Sequence, residues 1–71
     1  MNQNDVLRRI RYFLDLDDST MMSIFSLGGC EVTRAQVSDW LKKDDDPAYQ
    51  QMKDLELATF LNGLIVEKRG K

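Results

Sequence analysis

"KDLELATFLNGLIVEK", residues 53–68, contains no proline and carries apolar residues on nearly every side of a helical wheel. With a helical advance of about 100° per residue, Leu57, Ala58, Leu61, Leu64 and Ile65 form one broad stripe, with Phe60 at its margin. Nearly opposite lie Leu55, Thr59, Asn62, Gly63 and Val66, and only Glu56 and Glu67 clearly prefer water. Asp54 and Glu56 near the start, with Lys68 and Arg69 near the end, suit the helix dipole, and Gly70 is expected to stop the helix. A helix that is apolar on two sides is either the central pillar of its own domain or the element that meets a second molecule. Glycine inside a helix costs about 1 kcal/mol relative to alanine, so Gly63 is expected where another backbone comes close, with Asn62 hydrogen-bonding nearby. The face Leu55, Thr59, Asn62, Gly63 and Val66 is therefore the expected partner-binding surface, for a second copy of the domain or another protein.

Three shorter helices are expected upstream. In the first, Val6, Leu7, Ile10, Phe13 and Leu14 recur at helical spacing and are expected to face inward, with Asn4 as N-cap. Asp5 and Arg9, and Arg11 and Asp15, stand four residues apart on the polar side. "LDLDDST" breaks the pattern and supplies a cap for a second, largely buried helix from about Asp18 to Leu27, closed by Gly28 and Gly29. A third helix starts at a capping box formed by Thr33 and Gln36, with Val32 and Val37 in the staple positions. Its inward side is Val37, Trp40 and Leu41. After it, "DDDP" reads as a turn, with a short helical segment expected around Ala48 to Gln51.

These elements make one all-α domain over residues 1–71, a compact bundle of four to five short helices. A chain of this size buries only about 60 % of its unfolded surface and has no room for a second core. Such a small core gains stability by association, which is a structural reason to expect an interface. The charge balance, with 10 basic and 12 acidic residues, provides no long-range attraction for phosphate backbones. One cysteine cannot form an intrachain disulfide, and no stretch is apolar for long enough to span a membrane, so a cytoplasmic setting is expected. With no histidine, the commonest general base and the commonest zinc ligand are both missing. Neither "DLDDST" nor "DDDPAY" matches a calcium loop. The expectation is a non-enzymatic domain with no cofactor, no metal and no catalytic residue.

"SLGGCEVTRAQVSDWLKK", residues 26–43, carries the alternative reading as the turn and second helix of a helix-turn-helix. That reading gives DNA contacts to Arg34 and Lys42, on the helix from about Arg34 to Lys43. Against it stand a five-residue turn containing Glu31, a mixed outward face with Asp39, and the acidic run Asp44 to Asp46. The arginines of the first helix and the basic tail Lys68, Arg69 and Lys71 read as solvated charge.

The segments "LRRIRYFL" (7–14), "VSDWLKKDDDPAY" (37–49) and above all "FLNGLIVEKRGK" (60–71) resemble the N-terminal half of the YehS-like family of bacterial proteins, a family of unknown function. The resemblance spans nearly the whole chain. It implies an all-helical module of about this length, usually in two tandem copies and with no established activity. On that pattern the chain ends where a second copy would begin, and a solitary module is expected to self-associate if the copies normally pack on each other.

Overall fold

The computed structural model describes residues 1–69. It contains four helices and, among the described residues, no strand: α1 (Gln3–Leu14), α2 (Asp18–Leu27), α3 (Arg34–Leu41) and α4 (Asp54–Arg69). The stop expected at Gly70, and Lys71 of the basic tail, lie outside the described residues.

Local chemistry sets the helix starts. Thr33 accepts a hydrogen bond from the Gln36 N–H while Gln36 accepts from the Thr33 N–H, so the expected capping box forms in full. Asp17 accepts from the Thr20 N–H at 2.8 Å and opens α2 over the expected residues. In α1 the cap is Asn2 rather than Asn4, with Asp5 completing a capping box. Asn4 lies inside the first turn and is fully buried.

The Thr20 side chain, and next its backbone N–H, hold the Asp17 carboxyl below the ordinary aspartate range. A carboxyl with a lowered folded pKa stabilises the fold above its unfolded pKa and loses that contribution as pH falls through the folded value. Asp17→Asn, which keeps a capping oxygen, is therefore expected to flatten the decline in stability below the ordinary aspartate pKa. Urea titrations of the two chains at a series of acidic pH values check this, and parallel profiles would contradict it.

The core is built around α2. Met21, Ile24 and Phe25 are buried, and α2 packs most extensively on α4 and next on α3. The Phe25 ring lies 5.3 Å from Trp40 and 4.9 Å from Phe60, centroid to centroid, joining three helices through tilted aromatic contacts. Leu7, Val32, Val37 and Met52 complete the buried cluster.

Two helices turn differently from the sequence expectation. In α1 the buried line runs through Asn4 and Leu7, with Ile10 packed beside it. Burying Asn4 rotates the helix, and Phe13 at the far edge of the expected stripe is left 84 % exposed. In α4 the centre of burial is Phe60 and Gly63, between the two stripes. Leu57 and Leu64 keep one edge in contact with the core, whereas Ala58, Leu61 and Ile65 face outward.

The short helix expected around Ala48 to Gln51 does not form. The Asp46 side chain accepts from the Ala48 N–H at 2.8 Å, and the Tyr49 N–H bonds back to the Asp46 carbonyl, making a turn. Beyond it the chain runs irregularly to carry Met52 into the core, and its backbone is satisfied by Asn4. Asn4 Nδ2 donates to the carbonyls of Trp40 (2.9 Å) and Gln50 (2.8 Å). Its Oδ1 accepts from the Met52 N–H (2.8 Å) and from Gln51 Nε2 (3.4 Å). Arg8 adds a bond from Nη1 to the Lys42 carbonyl at 2.9 Å, so α1 caps the C-terminal end of α3.

Candidate interaction surface

α4 meets α2 backbone to backbone at two points. A Cβ built on Gly63 would lie 1.8 Å from the Ile24 carbonyl oxygen, and one built on Gly28 would lie 2.0 Å from the Thr59 carbonyl oxygen. Gly28 ends α2 at φ −80°, so it is required for this approach rather than for a left-handed cap; the left-handed residue of the turn is Gly29, at φ +102°. The close neighbour expected at Gly63 is thus α2 of the same domain.

That contact divides the five residues expected on the partner face. Gly63 is buried, Thr59 and Val66 are half-buried, and Asn62 and Leu55 are exposed, Leu55 at 77 %. Thr59 also returns its hydroxyl to the Leu55 carbonyl at 2.9 Å, an intrahelical use of that group.

The larger exposed apolar stripe is on the other flank. Leu61 is 39 % and Ile65 53 % exposed, with exposed Ala58 between Leu61 and the exposed N-terminal Asp54. α1 runs beside this stripe, leaving a groove at each end. One groove is lined by Met1, Val6, Leu57, Ala58 and Leu61, the other by Leu14, Leu64, Ile65 and Lys68. The stripe is acidic at its start and basic at its end, with Asp54 held to α1 by a hydrogen bond from Gln3 Nε2. Sequence periodicity places Leu61 and Ile65 in one stripe with Leu57 and Leu64, but only the latter two touch the core. The available signal was Phe60 and Gly63, which a 100° wheel places about 60° apart on one side.

The residues of the helix-turn-helix alternative are engaged within the chain. Arg34 donates to Ser19 Oγ at 2.9 Å and stands 3.8 Å from the Asp18 carboxylate. Lys42 Nζ donates to Ser38 Oγ at 3.0 Å and to Asp39 at 3.1 Å. Among the described residues no cluster of three or more metal-ligating side chains occurs, and no helix is long and apolar enough to cross a membrane. Asn4 is the one buried polar side chain among the described residues, and its hydrogen-bonding capacity is fully used within the fold.

Fold and surface together define a small all-helical domain with a closed aromatic core and an apolar helix flank left open to solvent. Its sequence matches the family described as protein of unknown function (DUF1456) over residues 3–70, and the chain belongs to that family. It is similar to the uncharacterized protein YehS of Escherichia coli (strain K12), with 45 % identity over 71 residues, covering 100 % of this chain and 46 % of that protein. The chain therefore spans about half the length of the curated relative it matches. No solved structure matches.

Proposed function

We propose that this domain is a non-enzymatic association module of the cytoplasm, presenting the outer flank of α4 and the adjoining edge of α1 to another protein, in the first instance a second copy of itself. The observation that carries the reading is the open stripe of Leu61 and Ile65 on a helix whose opposite flank is already consumed by α2. Covering exposed leucine and isoleucine side chains adds about 25 cal/mol for each Å² removed from water, and a core of this size has little stability in reserve. The non-enzymatic part rests on the lack of histidine and on the absence, among the described residues, of any buried ionisable group that could be tuned for proton transfer. The helix-turn-helix alternative gains no support from Arg34 and Lys42, whose charges are answered by Asp18 and Asp39.

Sedimentation across a concentration series tests the reading. The 71-residue chain is expected to show a concentration-dependent dimer. Leu61→Lys and Ile65→Lys are expected to be monomers with helix content unchanged. At concentrations where the unmodified chain is itself monomeric, Ile65→Lys should match its stability within about 0.5 kcal/mol, and Leu61→Lys, at a position only 39 % exposed, should lose more. A chain that stays monomeric up to about 1 mM, where even an association worth about 4 kcal/mol would register, overturns the proposal. So does dimerisation that both lysines leave untouched.

A further inference from the structure

We infer that two copies pair antiparallel, α4 against α4, about a two-fold axis at Leu61, with Asp54 of each copy facing Lys68 of the other; this rests on the association reading above. The residues of α4 on and beside the open flank are arranged symmetrically about Leu61: Ala58, Leu61 and Ile65 are exposed, and half-buried Leu57 and Leu64 show the partner only the edge that the core leaves uncovered. Asp54 and Lys68 lie equally far to either side of Leu61, as do Leu57 and Ile65, and Ala58 and Leu64. A two-fold contact brings together residues at equal and opposite displacement from its axis. Leu61 then meets its own copy at the centre, small Ala58 faces the larger Leu64, and opposite charges close both ends. The parallel arrangement would set Asp54 against Asp54 and Lys68 against Lys68 at the two ends of an apolar seam. It would also align the two helix dipoles unfavourably.

Asp54 and Lys68 are both exposed, and among the described residues neither has an ion-pair partner. The Gln3 bond engages one oxygen of Asp54 and holds the side chain at the α1 edge of the stripe, leaving its second oxygen for a cation. The spacing between Asp54, Leu57/Ala58, Leu61, Leu64/Ile65 and Lys68 follows the repeat by which two helices mesh side chains along a shared seam. The groove flanked by Met1 and Val6 beside the first half of α4, and that flanked by Leu14 beside the second, exchange partners under the same two-fold.

Charge reversal separates this arrangement from any other. Asp54→Lys alone and Lys68→Glu alone each create two like-charge contacts in the pair, and each is expected to raise the dimer dissociation constant about tenfold at low salt. The double variant Asp54→Lys/Lys68→Glu restores both attractions and is expected to return to within about threefold of the unmodified chain. Both reversals oppose the helix dipole, so the double variant has the least favourable α4 of the set, and recovery of its dimer cannot come from a sturdier monomer. The differences should shrink in about 1 M salt, where the screening length is near 3 Å.

Sedimentation equilibrium, with circular dichroism to follow helix content, reads all four chains. A double variant as weak as the single ones overturns the antiparallel pairing, while the association reading stands if the unmodified chain dimerises and Leu61→Lys abolishes the dimer. An unmodified chain that never dimerises overturns both.

Discussion

Asn4→Asp is expected to remove about half of the domain's stability at pH 7. Asn4 is fully buried and uses two donors and one oxygen to hold the Trp40 and Gln50 carbonyls, the Met52 N–H and the Gln51 side chain. An aspartate carboxylate has nearly the same shape but no donor. It would turn a negative oxygen toward two carbonyl oxygens and bury a charge with no cation to answer it. Each buried backbone group left without a partner costs about 1–3 kcal/mol, so the replacement should cost about 3–5 kcal/mol. A domain of this length has about 4–10 kcal/mol in total. The loss therefore takes about half of the stability, and urea titration of the two chains measures it.

Two companions keep that result interpretable. Asn4→Ala removes the same bonds without adding charge and is expected to cost about 3 kcal/mol, while Asn2→Ala removes only a helix cap and is expected to cost about 1 kcal/mol. In the Asn4→Asp chain, burial beside carbonyls favours the neutral acid in the folded state and so raises its folded pKa. Its stability should then rise as pH falls through that raised value, because the folded state takes up the proton. A cost below about 1 kcal/mol for Asn4→Asp would mean that the residue does not tie α1 to the 42–53 loop.

The contrast between Asn2 and Asn4 marks what the sequence could reveal. Capping is local: Thr33 and Gln36, or Asp17 and Thr20, lie three residues apart, so their geometry follows from spacing alone. For that reason α2 spans the expected residues, and α3 begins at the expected cap. The partners of Asn4 stand 36 to 48 residues away, at the end of α3 and in the irregular segment after it, and nothing at position 4 announces them. Asn4, expected as a helix cap, is instead central, and its burial turns the apolar stripe of α1 away from Phe13. In α4 the difficulty was the opposite. Apolar residues all around the helix give no single direction to periodicity, and its facing was settled by the close approach at Gly63 together with the bulk of Phe60. The open stripe at Leu61 and Ile65 follows from that rotation, so the candidate surface became visible only once the α2–α4 contact was known.

Gly63→Ala and Gly28→Ala are each expected to destabilise the domain by about 3 kcal/mol or more, at Gly63 against the usual helical preference. In an exposed helix interior the change at Gly63 would gain about 1 kcal/mol, whereas Gly28 stands past the end of α2 and has no such gain to offset. Here the new methyl would stand 1.8 Å from the Ile24 carbonyl oxygen or 2.0 Å from the Thr59 carbonyl oxygen, far inside any real contact. The obstacle in each case is backbone in or beside the opposing helix, which cannot swing aside as a side chain can. Relief requires α2 and α4 to separate by roughly 1 Å or more, and at that spacing the contacts of Phe25, Ile24 and Phe60 lose much of their dispersion energy. The packing loss exceeds the propensity gain, so the sign of the effect is fixed by the crossing.

The two glycines should also be coupled. Each rests on the helix that carries the other, and a separation forced at Gly63 opens the space at Gly28. The double variant is therefore expected to cost less than the sum of the two single losses. Urea titration in the presence of a stabilising osmolyte keeps the weakest chain measurable. Strict additivity would show that the two approaches relax independently, and a neutral or stabilising Gly63→Ala would show that α2 does not lie on that side of α4. Because these changes act within one copy, they should lower stability in a chain already made monomeric by Leu61→Lys as much as in the unmodified one.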